Sequence, residues 1–139
     1  MNRSQLRPAF TLVEILVALA IIAMLVAIGV TKIEQTFTNS SMKIAQIFVS
    51  QSMKTPLTSY RIDIGDYPST EEGLQALYSP PGDKADRWHG PYADGKLPLD
   101  PWSHPYQYKY PGTHNAGSYD LWSLGPHGID GAPDNIGNW

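Results

Sequence analysis

From Ile15 to Val30 every position is apolar or glycine, and from Thr31 onward the chain is mixed in polarity. The apolar run opens with Phe10-Thr11-Leu12-Val13-Glu14, so one carboxylate sits at its head. Phe10 to Val30 is about 21 residues, which at ~1.5 Å rise makes a helix of about 31 Å, near the thickness of a bilayer core. The next zone, residues 31–63, carries Ile33, Phe37, Ile44, Ile47 and Phe48 at mixed steps of three and four, broken around Thr38–Ser41. That spacing predicts an amphipathic helix with these residues on its apolar face. No Gly or Pro interrupts Thr31 to Thr55, so the helix is expected to continue straight on from the apolar run. Thr55-Pro56 reads as a kink, or as the cap and first position of a short final helix, and Gly65 as its end.

From Tyr67-Pro68 the pattern changes to short segments with frequent Pro, Gly and aromatic residues. Ser69-Thr70-Glu71-Glu72 before Leu74, Ala76 and Leu77 is a capping signature for a short helix. Ser79 to Asp83 is a loop, and an irregular surface segment is expected from Trp88 to Asp100. Tyr106-Gln107-Tyr108-Lys109-Tyr110 alternates with period two, and Ser118 to Ser123 does so more loosely. Pro111-Gly112 and Asn115-Ala116-Gly117 between them predict a β-hairpin. The tail from Gly125 to Trp139 reads as a loop. The expected architecture is α+β: one long helix, its first half transmembrane, packed on a small antiparallel sheet with a C-terminal loop.

Charge orients this arrangement. The net formal charge is −3, but Met1 to Ala9 carries Arg3 and Arg7 with no acid, while acids outnumber bases from Thr31 onward. Basic residues flanking a membrane segment stay cytoplasmic, which faces Met1 to Ala9 inward and the bulk of the chain outward. An acidic body without a Lys/Arg cluster lacks what phosphate backbones require, so nucleic acid is not an expected partner. The chain has no cysteine, which leaves the redox compartment unread. A cleaved secretory signal is a poor fit, because its apolar stretch is about 7–15 residues and precedes a small-x-small site. Here the small residue, Ala9, comes before the run, so the run is expected to stay in the mature chain.

Phe10 to Glu14 behind a basic leader is similar to the N-terminal motif of type IV pilins and pseudopilins. Tyr60-x-x-Asp63-x-Gly65-x-Tyr67-Pro68-Ser69-Thr70 with Gly73-Leu74-x-Ala76-Leu77 resembles the major pseudopilins of type II secretion systems. So do Leu97-Pro98-x-Asp100-Pro101-Trp102-x-x-Pro105-Tyr106-x-Tyr108, Tyr119 to Gly125, and Ile136-Gly137-Asn138-Trp139, in the same order. The resemblance implies a type IV pilin-like fold and four zones: a leader peptide 1–9, an assembly helix 10–30, the periplasmic half of the long helix 31–63, and a globular region 64–139. It implies a non-enzymatic subunit, cut between Ala9 and Phe10 by a prepilin peptidase and methylated on the new Phe10 amine. The subunit would polymerise with itself, on an inner-membrane assembly platform and with minor pseudopilins, into a periplasmic filament that exports folded proteins. The family's usual residue before the Phe is Gly; Ala9 is the next smallest, a departure that bears on the rate of cutting.

Glu14 can be argued from chemistry alone. An ionised side chain inside a bilayer costs several kcal/mol unless paired. A processed Phe10 amine would lie about 6 Å along the helix, so a neighbouring subunit offset by roughly that rise would pair its amine with Glu14. The alternative is a carboxylate that reaches toward the headgroups and does nothing specific.

The resemblance also implies a calcium ion in the loop after Ser123-Leu124-Gly125, held by Asp130 and Asp134 with the Asn135 amide oxygen and the Leu124 and Gly128 carbonyls as helpers. Calcium takes ~6–8 oxygens, and two positions depart from the family's pattern: His127 and Asn135 stand where Asp is common. Read from the residues alone, Asp130-Gly131 and Asp134-Asn135 are turn formers. Without an ion, packing of Pro126, Pro133, Ile136 and Trp139 is expected to hold the loop.

Other chemistries find less support. His89, His104, His114 and His127 lack zinc-ligand spacing, and Ser103, His104 and Asp100 lack a nucleophile elbow. Trp88, Tyr92, Trp102, Tyr106, Tyr108 and Trp122 are expected to form a small core and its rim. The remaining functional alternatives are another pilin-like subunit serving adhesion or DNA uptake, and a monomeric membrane-anchored periplasmic binding module.

Overall fold

The computed structural model describes residues 11–139. Helix α1 runs Leu12–Ile47, a π-helical segment follows at Phe48–Ser52, and α2 runs Lys54–Ile64. Short 3-10 turns lie at Gly73–Leu77 and Ala85–Arg87, and three strands follow: β1 Gln107–Lys109, β2 Asp120–Ser123 and β3 Ile136–Gly137. The chain divides into two compact units, one ending at Thr38 and the other spanning Asn39–Trp139.

In the first unit, Leu12–Val30 is a stretch of 19 residues long and apolar enough to cross a membrane, with none of it buried by the protein. A helix that is apolar all round and uncovered has its backbone bonds satisfied internally and its side chains unsatisfied by water, the combination a bilayer rewards.

The second unit has its own core. Ala45, Val49, Met53, Leu57, Tyr60 and Ile64 form one buried stripe along the helical layer. Most of these steps are four residues, and in a regular α-helix each such step drifts about 40° around the axis. The wider turns of the π segment, closed by the Met53 N–H to Phe48 carbonyl bond at 3.3 Å, turn less per residue and take that drift back. The stripe is not the expected one. Ile33 and Phe37 are 71% and 68% exposed, and Ile44 and Ile47 are exposed as well. The seam instead uses the small Ser41 and Ala45, which leave room for close approach.

The helix break also differs from expectation. It falls at the π segment, and Pro56 lies in the first turn of α2, where a missing N–H costs little. Gly65 ends α2 as expected, with φ 102° and its N–H bonded to the Arg61 carbonyl at 2.8 Å. Arg87 Nη1 caps the Ile64 carbonyl at 2.7 Å. The Ser69–Glu72 box forms reciprocally: Ser69 N–H donates to Glu72 Oε2 at 2.8 Å and Glu72 N–H to Ser69 Oγ at 3.2 Å. It closes a single turn, after which the backbone continues as a 3-10 helix. Glu72 is also paired with Lys84 at 2.6 Å.

The predicted hairpin is β1–β2, antiparallel, with Tyr108 opposite Leu121. The tail, expected to be loop throughout, adds β3 on the other edge of β2, with Ser123 opposite Ile136. Strand β2 packs on the π segment, with Leu121 fully buried. Phe48 stacks on Tyr106 at 4.0 Å, and Trp88, Tyr92, Trp102 and Tyr108 lean on the core as the expected rim.

Candidate functional site

Two places bear on function: the head of α1 and the loop between β2 and β3. Ala9 and Phe10, the expected processing site, lie outside the described residues. At the head of α1, Thr11 and Glu14 grip each other. Thr11 N–H donates to Glu14 Oε2 at 3.0 Å and the Thr11 hydroxyl to the same oxygen at 3.1 Å. Glu14 N–H returns a bond to Thr11 Oγ1 at 3.2 Å. This is a capping box on the first turn, and a carboxylate there also faces the positive end of the helix dipole. The signal was legible as Thr-x-x-Glu before an apolar run. Glu14 therefore has a local partner that the two readings from sequence did not include.

The loop after β2 places Leu124, Asp130 and Asp134 close in sequence but spends them separately. Asp130 Oδ1 accepts from the Trp122 indole N–H at 2.9 Å. Asp134 Oδ2 lies 2.7 Å from His127 Nδ1, and that contact holds the Asp134 carboxyl below the usual range. Asn135 donates from Nδ2 to the Leu124 carbonyl at 3.0 Å and the Ile129 carbonyl at 2.8 Å, while its Oδ1 accepts from Gly131 N–H at 2.7 Å. Gly125 has φ +69°, and a Cβ there would meet the Asp134 carbonyl oxygen at 2.5 Å, so the loop closes tightly on this glycine. Among the described residues no group of three His, Cys, Asp or Glu side chains is placed to hold a metal. Packing contributes less than expected. Ile136 is buried, but Pro126, Pro133 and Trp139 are exposed.

Three further polar ties hold the sheet end together, and none was apparent from sequence. The buried Asp120 carboxylate accepts from the N–H groups of Thr113, His114 and Asn115 at 2.6, 2.8 and 2.9 Å. Burial works to raise its pKa, but the amides of His114, Asn115 and Thr113 outweigh it and hold the carboxyl below the ordinary aspartate value. Asn138 Oδ1 accepts from Leu121 N–H at 3.0 Å and its Nδ2 donates to the Tyr119 carbonyl at 3.2 Å, so this side chain extends the β3 edge. Asp100 accepts from the N–H groups of Trp102 and His104 at 3.0 and 2.8 Å and from Ser123 Oγ at 2.5 Å. The hydroxyl that meets Asp100 is thus that of Ser123 rather than Ser103. It is fully buried and bonded to the carboxylate, which makes it a tie between a loop and β2 and leaves it no route to a substrate.

Comparison with known proteins decides the family. A family model described as type II secretion system protein G matches residues 32–139, and one for the prokaryotic N-terminal methylation motif matches residues 7–30. The chain belongs to the type II secretion protein G family, that of the major pseudopilins. The type II secretion system core protein G of Pseudomonas aeruginosa is 38% identical over 144 residues, covering 100% of this chain and 99% of that one. The protein of the same name from Pectobacterium carotovorum is 40% identical over 135 residues, covering 94% and 83%. Among solved structures, the major pseudopilin of the type 2 secretion system of enterohaemorrhagic Escherichia coli matches with TM-score 0.59 and 31% identity, over 73% of this chain and 85% of that one. The α+β fold of the protein G family, a long N-terminal helix with a small antiparallel sheet, is the architecture expected from sequence.

Proposed function

We propose that this chain is the main building block of a type II secretion pseudopilus, anchored by Leu12–Val30 in the inner membrane with its C-terminal part in the periplasm. Its polymer drives folded proteins across the outer membrane, and the chain itself carries out no catalysis. A prepilin peptidase cuts between Ala9 and Phe10 and the Phe10 amine is methylated. Subunits then add to the filament on an inner-membrane platform, alongside minor pseudopilins. The observation that carries this reading is one carboxylate, Glu14, at the head of an uncovered apolar helix that lies inside the matched methylation motif.

The capping box refines the role of Glu14. In a lone subunit, Thr11 supplies two of the hydrogen bonds that a carboxylate in lipid lacks. In the filament, the Phe10 amine of a neighbour supplies the opposite charge, and a charge-assisted bond outweighs a neutral one. Assembly then exchanges a neutral partner for an ionic one, which favours the polymer without requiring a bare charge in the membrane beforehand.

Mass spectrometry of the N-terminus of the protein from its native membrane tests the processing step, with N-methylated Phe10 as the expected first residue. A mature population that still carries Met1–Ala9 overturns the reading in favour of an unprocessed anchor. Glu14→Val is expected to abolish filaments while leaving the protein in the membrane. Filaments and secretion at wild-type levels from that variant would eliminate the pairing role.

A further inference from the structure

The resemblance to calcium-holding pseudopilins implies a cation in the loop after β2, and the donors of this chain do not fit one. Calcium takes ~6–8 oxygens and has no use for an N–H group. The centre of the loop is occupied by a nitrogen. Asn135 Nδ2 stands between the Leu124 and Ile129 carbonyl oxygens, at 3.0 and 2.8 Å, and its two hydrogens serve one carbonyl each. The direction of this amide is fixed by Gly131, whose N–H reaches Asn135 Oδ1 at 2.7 Å. Turning the amide over would set its NH2 against the Gly131 N–H and its oxygen against both carbonyls, losing all three bonds.

The two aspartates are committed elsewhere. Asp134 pairs with His127 at 2.7 Å, and Asp130 accepts from the Trp122 indole at 2.9 Å. Each holds its partner through one carboxylate oxygen, so a cation would have to share Asp134 with the imidazole and Asp130 with the indole. It would also have to expel the amide NH2 from between the two carbonyls.

We infer that Asn135 is a built-in replacement for the metal: its carboxamide draws the Leu124 and Ile129 carbonyls together as a cation would, and the loop from Leu124 to Asn135 closes without calcium. His127 serves the same end by setting its Nδ1 against the carboxylate that a cation would otherwise meet, at 2.7 Å. The two positions at which this chain departs from the family's pattern thus act together. One supplies the hydrogen-bond donors and the other an imidazole partner for the Asp134 carboxylate.

The test is thermal unfolding of the full-length protein in detergent micelles, in EGTA and in millimolar calcium, with calcium titrated calorimetrically into the same sample. The expected result is one melting temperature in both conditions and no binding heat. Asn135→Asp keeps the shape but cannot donate to either carbonyl. It should lower the melting temperature in EGTA by about 5–10 °C, from the loss of two hydrogen bonds in a small domain. A wild-type melting temperature that rises by more than about 3 °C with calcium, or a stoichiometric binding heat, overturns the inference. So does an Asn135→Asp protein that melts like wild type in EGTA. If the variant fails to fold, the wild-type calcium response still decides. None of these readouts requires filaments, so failure of this inference and failure of the pseudopilus assignment are distinguishable.

Discussion

The apolar stretch Leu12–Val30 and the unit Asn39–Trp139 are stabilised by opposite means. The first has no core: its side chains are exposed throughout, and its order rests on the helix's own hydrogen bonds and on the solvent around it. The second has only three strands, none longer than four residues, and is held by side chains that bond to backbone across long loops. Asp120, Asn138, Asp100 and Asn135 each gather several backbone groups that a longer sheet would have paired strand to strand. Where regular structure is short, polar side chains must satisfy the leftover backbone, because an unpaired buried amide or carbonyl is costly. From Ile15 to Val30 the helix satisfies these groups along its own length, so the side chains there are free to be uniformly apolar.

Paired substitutions break this comparison most directly. Leu121→Ala in the core of the second unit should cost about 3 kcal/mol of stability. Leu19→Ala, in the bare apolar helix, should leave the unfolding of the globular unit unchanged. Chemical denaturation followed by tryptophan fluorescence in detergent reads both, since every tryptophan lies beyond residue 87. Equal losses from the two changes would mean that the units do not unfold independently.

Asp120→Asn comes next, at about 2 kcal/mol, because an amide cannot accept from all the N–H groups that the carboxylate serves. This change also has a pH signature. The folded pKa of Asp120 is depressed below its ordinary value of 3.8, so its stabilisation is present above that value. It is lost as the pH falls through the lower folded pKa. The wild-type melting temperature should therefore fall on acidification below about pH 4, and that of Asp120→Asn should fall less over the same range. Parallel acid limbs for the two proteins would show that the carboxylate is not what the loop depends on.

The smallest contrast separates a tyrosine of the core from one on its rim. The Tyr108 hydroxyl donates to the Pro68 carbonyl at 2.9 Å, so Tyr108→Phe should cost about 1 kcal/mol. Among the described residues the buried Tyr60 hydroxyl has no hydrogen-bond partner, and burial followed by the charge of Glu72 pushes its pKa up to about 12. Tyr60→Phe should therefore be neutral or slightly stabilising. A loss at Tyr60 as large as that at Tyr108 would point to a partner for the hydroxyl, such as a bound water.

The sequence made the long elements legible and the long-range polar ties illegible. The membrane-length helix, the stop at Gly65 and the β1–β2 hairpin each follow from signals confined to a few consecutive residues. Strand β3 is two residues, Ile136 and Gly137, in a tail of Gly, Asp and Asn, too short to show an alternation. The buried stripe was missed because hydrophobicity pointed to Ile33, Phe37, Ile44 and Ile47, whereas the positions the fold covers there are the small Ser41 and Ala45. Asp100 and Ser123 are far apart in the chain, and only the fold brings them together. Asn135 drew notice from the sequence as a lost carboxylate. Its gain, two hydrogen-bond donors, depends on where Gly131 points its N–H, which no spacing rule reports.

The π segment at Phe48–Ser52 has a consequence for how this helix can vary in length. A wide turn holds, in effect, one residue more than the α-helical turn it replaces. Rewinding the segment into ordinary helix with no residue lost would rotate Ala45 by about 100° relative to Leu57, whereas losing one residue as it rewinds would keep the two in phase. Insertions and deletions on either side are therefore not interchangeable with changes inside it. The segment works as a phase adjuster, keeping Ala45 and Leu57 on one buried side of the second unit's helical layer.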